Sequence, residues 1–124
     1  MSEDDEDGWS DELPWIGQYV LDENGNAVRA PGLLDWARWM ETHDEQRCLA
    51  RDRIGNVTVS TVFLGLDHGL RFLRREAGFD EAAYKPILWE TMMFGGQHDQ
   101  FQNRYTSRED ALLGHRKIVQ MLTS

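Results

Sequence analysis

One cysteine, three prolines and no long apolar run among 124 residues exclude several architectures before any pattern is read. The lone Cys48 cannot close an internal disulfide, so a cross-linked scaffold of the small secreted kind is ruled out. No apolar stretch approaches the roughly 20 residues a helix needs to cross a bilayer, and no membrane partner is expected. The start, Met1-Ser2-Glu3-Asp4-Asp5-Glu6-Asp7, lacks the basic and apolar segments of a secretory signal. These absences point to a reducing cytoplasm. Positive charge is scarce as well: 13 Lys and Arg stand against 22 Asp and Glu, a formal charge of −9. Such a balance repels the phosphates of duplex DNA, so direct duplex binding is not expected.

What is present is distributed unevenly. Seven acids (Glu3, Asp4, Asp5, Glu6, Asp7, Asp11, Glu12) fall in the first twelve residues, so only −2 of the −9 belongs to the remainder. Residues 1–14 therefore read as an acidic, disordered tail, and residues 15–124 as a single domain long enough to bury one core. An apolar fraction of 40% with five Trp and five Phe supplies that core.

Strand-like flanks from Tyr19 to Val28 surround Asn24-Gly25, the dipeptide suited to a tight hairpin turn. Leu33, Trp36, Ala37 and Met40 recur at i, i+3, i+4 and i+7, which predicts a helix with Trp36 inward and Trp39 on its flank. Arg47 to Asp52 fits an edge strand. Val57 to Leu64 is rich in β-branched residues and sets Val57, Val59, Thr61 and Phe63 on one face. Ile87 to Phe94 suits a central strand, and Phe101 to Tyr105 a peripheral one. Thr106 with Glu109, or Ser107 with Asp110, matches the spacing of a capping box. The helix that follows carries the stripe Ala111, His115, Ile118 and Leu122. The result is an α+β domain: an antiparallel four-stranded meander sheet with helices packed on one face, preceded by a small N-terminal hairpin.

Glu90 is the one charge inside the central strand. A carboxylate there needs a partner, because an isolated buried charge would take up a proton instead. Ser60, Thr61 or an inward histidine can supply one. His115 is the most attractive, since it lies on the apolar stripe of a helix laid over the sheet. Glu90 and His115 are thus expected as a buried polar pair.

Asp67, His68, Glu90, His98, Asp99 and His115 are of the types that bind metals or move protons. Their spacing matches no recognised metal, nucleotide or phosphate motif, and no cofactor is expected. In an antiparallel meander Glu90 falls about 10 Å along the strand from the neighbourhood of His68, which strains a triad of Asp67, His68 and Glu90. His98-Asp99 has the form of a turn in which Asp99 accepts from nearby amides. His43 is expected as a solvated cation at a helix end. Arg71, Arg74 and Arg75 form either a solvated helix face or a patch for an anion.

Three runs carry a resemblance: Val59-Ser60-Thr61-Val62-Phe63-Leu64-Gly65-Leu66-Asp67-His68, Leu88-Trp89-Glu90-Thr91-Met92-Met93-Phe94-Gly95-Gly96, and Arg104-Tyr105-Thr106 leading to Gly114-His115. Over residues 57–122 the chain resembles a family of small uncharacterised proteins carried by bacteriophages and prophages. That family has a short Gly/Pro-rich link after the Asp-His pair, where this chain has the longer arginine-bearing segment 69–85. The resemblance implies an accessory role in the cytoplasm of a host bacterial cell, such as counter-defence, and no reaction.

The leading expectation is a binding protein that engages a host protein or sequesters a small phosphorylated ligand through Asp67, His68, Arg71, Arg74, Arg75 and His98. The alternatives are a small metal-dependent hydrolase or nuclease, and a virion or assembly component that would form a homo-oligomer.

Overall fold

The computed structural model describes residues 15–69, 80 and 83–124. The acidic tail, its junction with the domain, and Arg71, Arg74 and Arg75 lie outside the described residues. The elements run β1 (Tyr19–Leu21), β2 (Ala27–Arg29), α1 (Leu33–Thr42), α2 (Asp44–Arg47), β3 (Cys48–Ile54), β4 (Val57–Phe63), β5 (Trp89–Phe94), β6 (Gln102–Tyr105) and α3 (Arg108–Thr123). β1 and β2 form a separate hairpin, and β3-β4-β5-β6 an antiparallel meander.

The hairpin turn is wider than a two-residue Asn-Gly turn: Gly25 N–H bonds the Asp22 carbonyl at 3.0 Å and Asp22 N–H the Asn26 carbonyl at 2.8 Å. Glu23, Asn24 and Gly25 thus make the loop, with Gly25 at φ +83°, a conformation that costs glycine no Cβ clash. Asp22 braces the loop: its Oδ1 accepts from the backbone N–H of Asn24 and of Asn26, each at 2.9 Å. The Asn26 amide above all holds this carboxyl below the usual aspartate range.

Strand alternation decides what lies beneath the C-terminal helix. Val57, Val59, Thr61 and Phe63 of β4 are all buried, and across the register Thr61 faces Thr91 while Phe63 faces Trp89. α3 packs over this face and touches all four strands. Val57, Val59 and Met93 meet Ile118, Val119 and Leu122 at one end of the sheet. At the other end Phe63, Leu88, Trp89 and Ala111 close around Tyr19 of the hairpin, with Trp39 of α1 alongside.

α1 follows its predicted stripe in part. Leu33, Trp36 and Met40 are half-buried, whereas Ala37 is exposed. Trp39 fills the place instead, meeting Phe63 edge-on with centroids 6.0 Å apart. The expected edge strand starts one residue late, at Cys48, because Asp44–Arg47 coils into a short helix closed by an Arg47–Asp44 ion pair. No helix among the described residues is long and apolar enough to cross a membrane.

Candidate functional site

Glu90 and His115 are both buried, at 8% and 3% exposure, but they do not pair with each other. Adjacent strand residues point to opposite faces. Thr91 therefore turns toward α3 and Glu90 turns away from it. Arg104 stands directly opposite Glu90 on β6 and gives its Nε to Glu90 Oε2 at 3.0 Å. The helix does bring an imidazole down onto the sheet, one residue away from the expected place. His115 Nδ1 lies 2.7 Å from Thr61 Oγ1, Thr61 Oγ1 lies 2.5 Å from Thr91 Oγ1, and His115 Nε2 lies 2.7 Å from Asp52 Oδ2.

An aspartate, a histidine and a threonine in line resemble a nucleophilic relay. Burial denies it a substrate: Thr61 and Thr91 are both 0% exposed. In the neutral ring Nε2–H donates to Asp52, Nδ1 accepts from the Thr61 hydroxyl, and Thr61 accepts from Thr91. Every hydroxyl and ring nitrogen in the line then has a use, as buried polar groups require. The network fixes α3 against β3, β4 and β5.

Asp67 is likewise committed to the fold. Its Oδ1 accepts from Gly69 N at 2.8 Å and Ile87 N at 2.9 Å, and its Oδ2 accepts from Tyr84 Oη at 2.7 Å. His68 gives its backbone N–H to the Ile87 carbonyl and leaves its side chain exposed. His98 is exposed in the loop after β5, where Asp99 Oδ1 accepts from Gly95 N at 2.6 Å. The structure thus scatters the predicted site residues that it describes. Among the described residues, no three His, Cys, Asp or Glu are grouped to hold a metal ion.

Among the described residues, two clefts lie apart from these side chains, and Arg108 stands between them. One cleft of about 540 Å³ is walled by Leu21, Asp22, Trp39, His43 and Cys48. His43 is half-buried rather than fully solvated: it stacks on Trp39 with centroids 4.6 Å apart and an interplanar angle of 12°. Its Nδ1 bonds the Trp39 carbonyl at 2.9 Å. The second cleft, about 420 Å³, lies between the hairpin and the start of α3 and is lined by Tyr19, Pro86, Leu88, Trp89 and Ser107. Arg108 and Gly25 border both.

The capping chemistry sets Arg108 there. Of the two overlapping helix starts, Ser107 is the one used: its Oγ accepts from Asp110 N at 3.0 Å and its carbonyl from Ala111 N at 3.1 Å. Arg108 is then the first residue of a helix of 16 residues, and its N–H belongs to the end that carries partial positive charge. Its guanidinium makes no ion pair within the described residues. Sequence pattern had marked the cap but not Arg108, because the hairpin that completes the clefts is distant in the chain.

No protein-family model matches this chain, and no curated protein or solved structure matches it either.

Proposed function

We propose that this chain is a non-catalytic binding protein that sequesters a small phosphorylated ligand at Arg108. The observation that carries this is the position of an arginine without an ion pair among the described residues, at a helix start, bordering two clefts. A guanidinium and helix-terminal amides together suit a phosphate group, and Asp22, Glu23 and Glu109 on the same walls restrict where along the clefts it can sit. Asp67, Glu90 and His115 are buried and bonded to other parts of the fold, which takes these three out of either cleft as base or nucleophile. Capture of a host protein is the other form of the same idea. The concavity at Arg108 favours the small ligand. The setting, a phage-type accessory protein acting against its host, rests on the three sequence runs alone.

Native mass spectrometry of the chain purified from bacterial cytoplasm tests this directly. The expected result is an adduct carrying phosphorus, with affinity weakened at least about tenfold, or roughly 1.4 kcal/mol, in Arg108→Ala. Phosphorylated compounds should be bound and released unchanged. A wild-type chain that carries no adduct and binds no phosphorylated compound, or an Arg108→Ala chain that binds as well as wild type, overturns the proposal.

A further inference from the structure

α3 covers one face of the sheet, and the register defines what the reverse face presents. Arg53, Thr58 and Phe94 form one row across it. Arg51, Ser60, Met92 and Gln102 form the next, and Val62, Glu90 and Arg104 the third. Arg51, Arg53 and Arg104 are exposed, Phe94 is 45% exposed, and Val62 and Met92 are half-buried. Glu90 is the single acid in these rows, and Arg104 already holds it. A net positive, partly apolar face therefore sits on a chain whose formal charge is −9.

We infer that this face is the docking surface of the chain's own N-terminal segment, residues 3–12. That segment offers seven carboxylates and one indole, Trp9, which complement three guanidiniums and the apolar diagonal Val62, Met92 and Phe94. Its attachment point is suitable. Gly17 and Gln18 are held at the end of β4, through Asp67 N–H to the Gly17 carbonyl at 2.9 Å and the bridge of Gln18 to Leu66. Fourteen extended residues reach up to about 46–50 Å, whereas seven strand residues span only about 23 Å. Tethering raises the local concentration of the segment to the order of millimolar, so weak individual pairs suffice. The contact is electrostatic and is screened by salt. Any other acidic partner reaches the arginines only by displacing the segment.

The lone Cys48 gives the test a single label. It is exposed and pairs with Val62 at the edge where this face meets the first cleft, ahead of the register shift before Ala50, so a nitroxide attached to it reports on what comes near Arg51 and Arg53. In amide NMR of the full chain at low salt, the resonances of residues 3–12 should be broadened, to the same degree on dilution. The broadening should be lost in high salt and in Arg51→Glu/Arg53→Glu. Absence of broadening overturns the inference, as does broadening that survives both charge reversal and salt. Broadening that fades on dilution would assign the face to a second copy's segment and overturn it equally.

Discussion

Thr61 holds two polar groups where water reaches neither, the Nδ1 of His115 and the hydroxyl of Thr91, and both depend on one oxygen. Thr61→Val keeps the shape of the side chain and the β propensity of the strand while deleting that oxygen. Each buried group left without its partner costs about 1–3 kcal/mol, so the variant should lose about 2–4 kcal/mol. Urea unfolding should show this as a lower midpoint at unchanged slope, since the surface exposed on unfolding stays the same. Adding His115→Leu should recover part of the loss, because one of the stranded groups goes with it and Asp52, 53% exposed at its side chain, is free to turn to water. A Thr61→Val chain as stable as wild type would show that the network is incidental. Glu90 follows the same rule with a weaker consequence, because the Arg104 side chain across from it is 41% exposed and its ion pair is screened by solvent.

At the scale of the element, α3 contains a glycine that helix propensity argues against. Gly→Ala in a helix interior ordinarily gains about 1 kcal/mol. At Gly114 the new Cβ would overlap the Tyr105 hydroxyl and fall 2.7 Å from its Cζ, and overpacking costs typically about 1–3 kcal/mol. Gly114→Ala should therefore lower stability, whereas the same change in a Tyr105→Ala background should raise it by about 1 kcal/mol. Denaturant melts of the two pairs read the sign directly, and the same sign in both would refute the steric account. Local pattern made such elements legible. The Asn-Gly turn, the β-branched run of β4 and the apolar stripe of α3 each rest on neighbours a few residues apart. Partnerships across elements were not legible in the same way. His115 falls on Thr61 and Thr91, and Glu90 on Arg104, because strand register is fixed by long-range pairing and a shift of one residue exchanges faces. The clefts at Arg108 arise where a hairpin near the start of the domain meets a helix near its end, and no spacing in either segment announces the other.

For the molecule as a whole, Asp67 joins two parts that the core divides. The meander with α3 has its own apolar cluster around Val59 and Met93. The hairpin and α1 attach at the loop after β4, through Tyr19 N–H to the Gly65 carbonyl at 2.8 Å and Trp36 Nε1–H to the same oxygen at 3.0 Å. Asp67 stiffens that loop by drawing the Gly69 and Ile87 amides and the Tyr84 hydroxyl onto one carboxylate. Asp67→Ala leaves those donors without it, at a cost of about 2–3 kcal/mol in local stability. Native-state hydrogen exchange resolves where that loss falls, because parts of a protein open with their own free energies. The amide of Tyr19, which bonds Gly65 across the junction, and that of Ala30, which bonds Gln18 at the base of the hairpin, should exchange on the order of 30- to 100-fold faster in the variant. Those of Val59 and Met93, within the sheet, should change far less. Asp67→Asn keeps one acceptor and should lie between wild type and Asp67→Ala. Equal acceleration in both groups would mean that the domain opens as one unit, and Asp67 would then be an ordinary buried acid rather than the joint between the hairpin and the sheet.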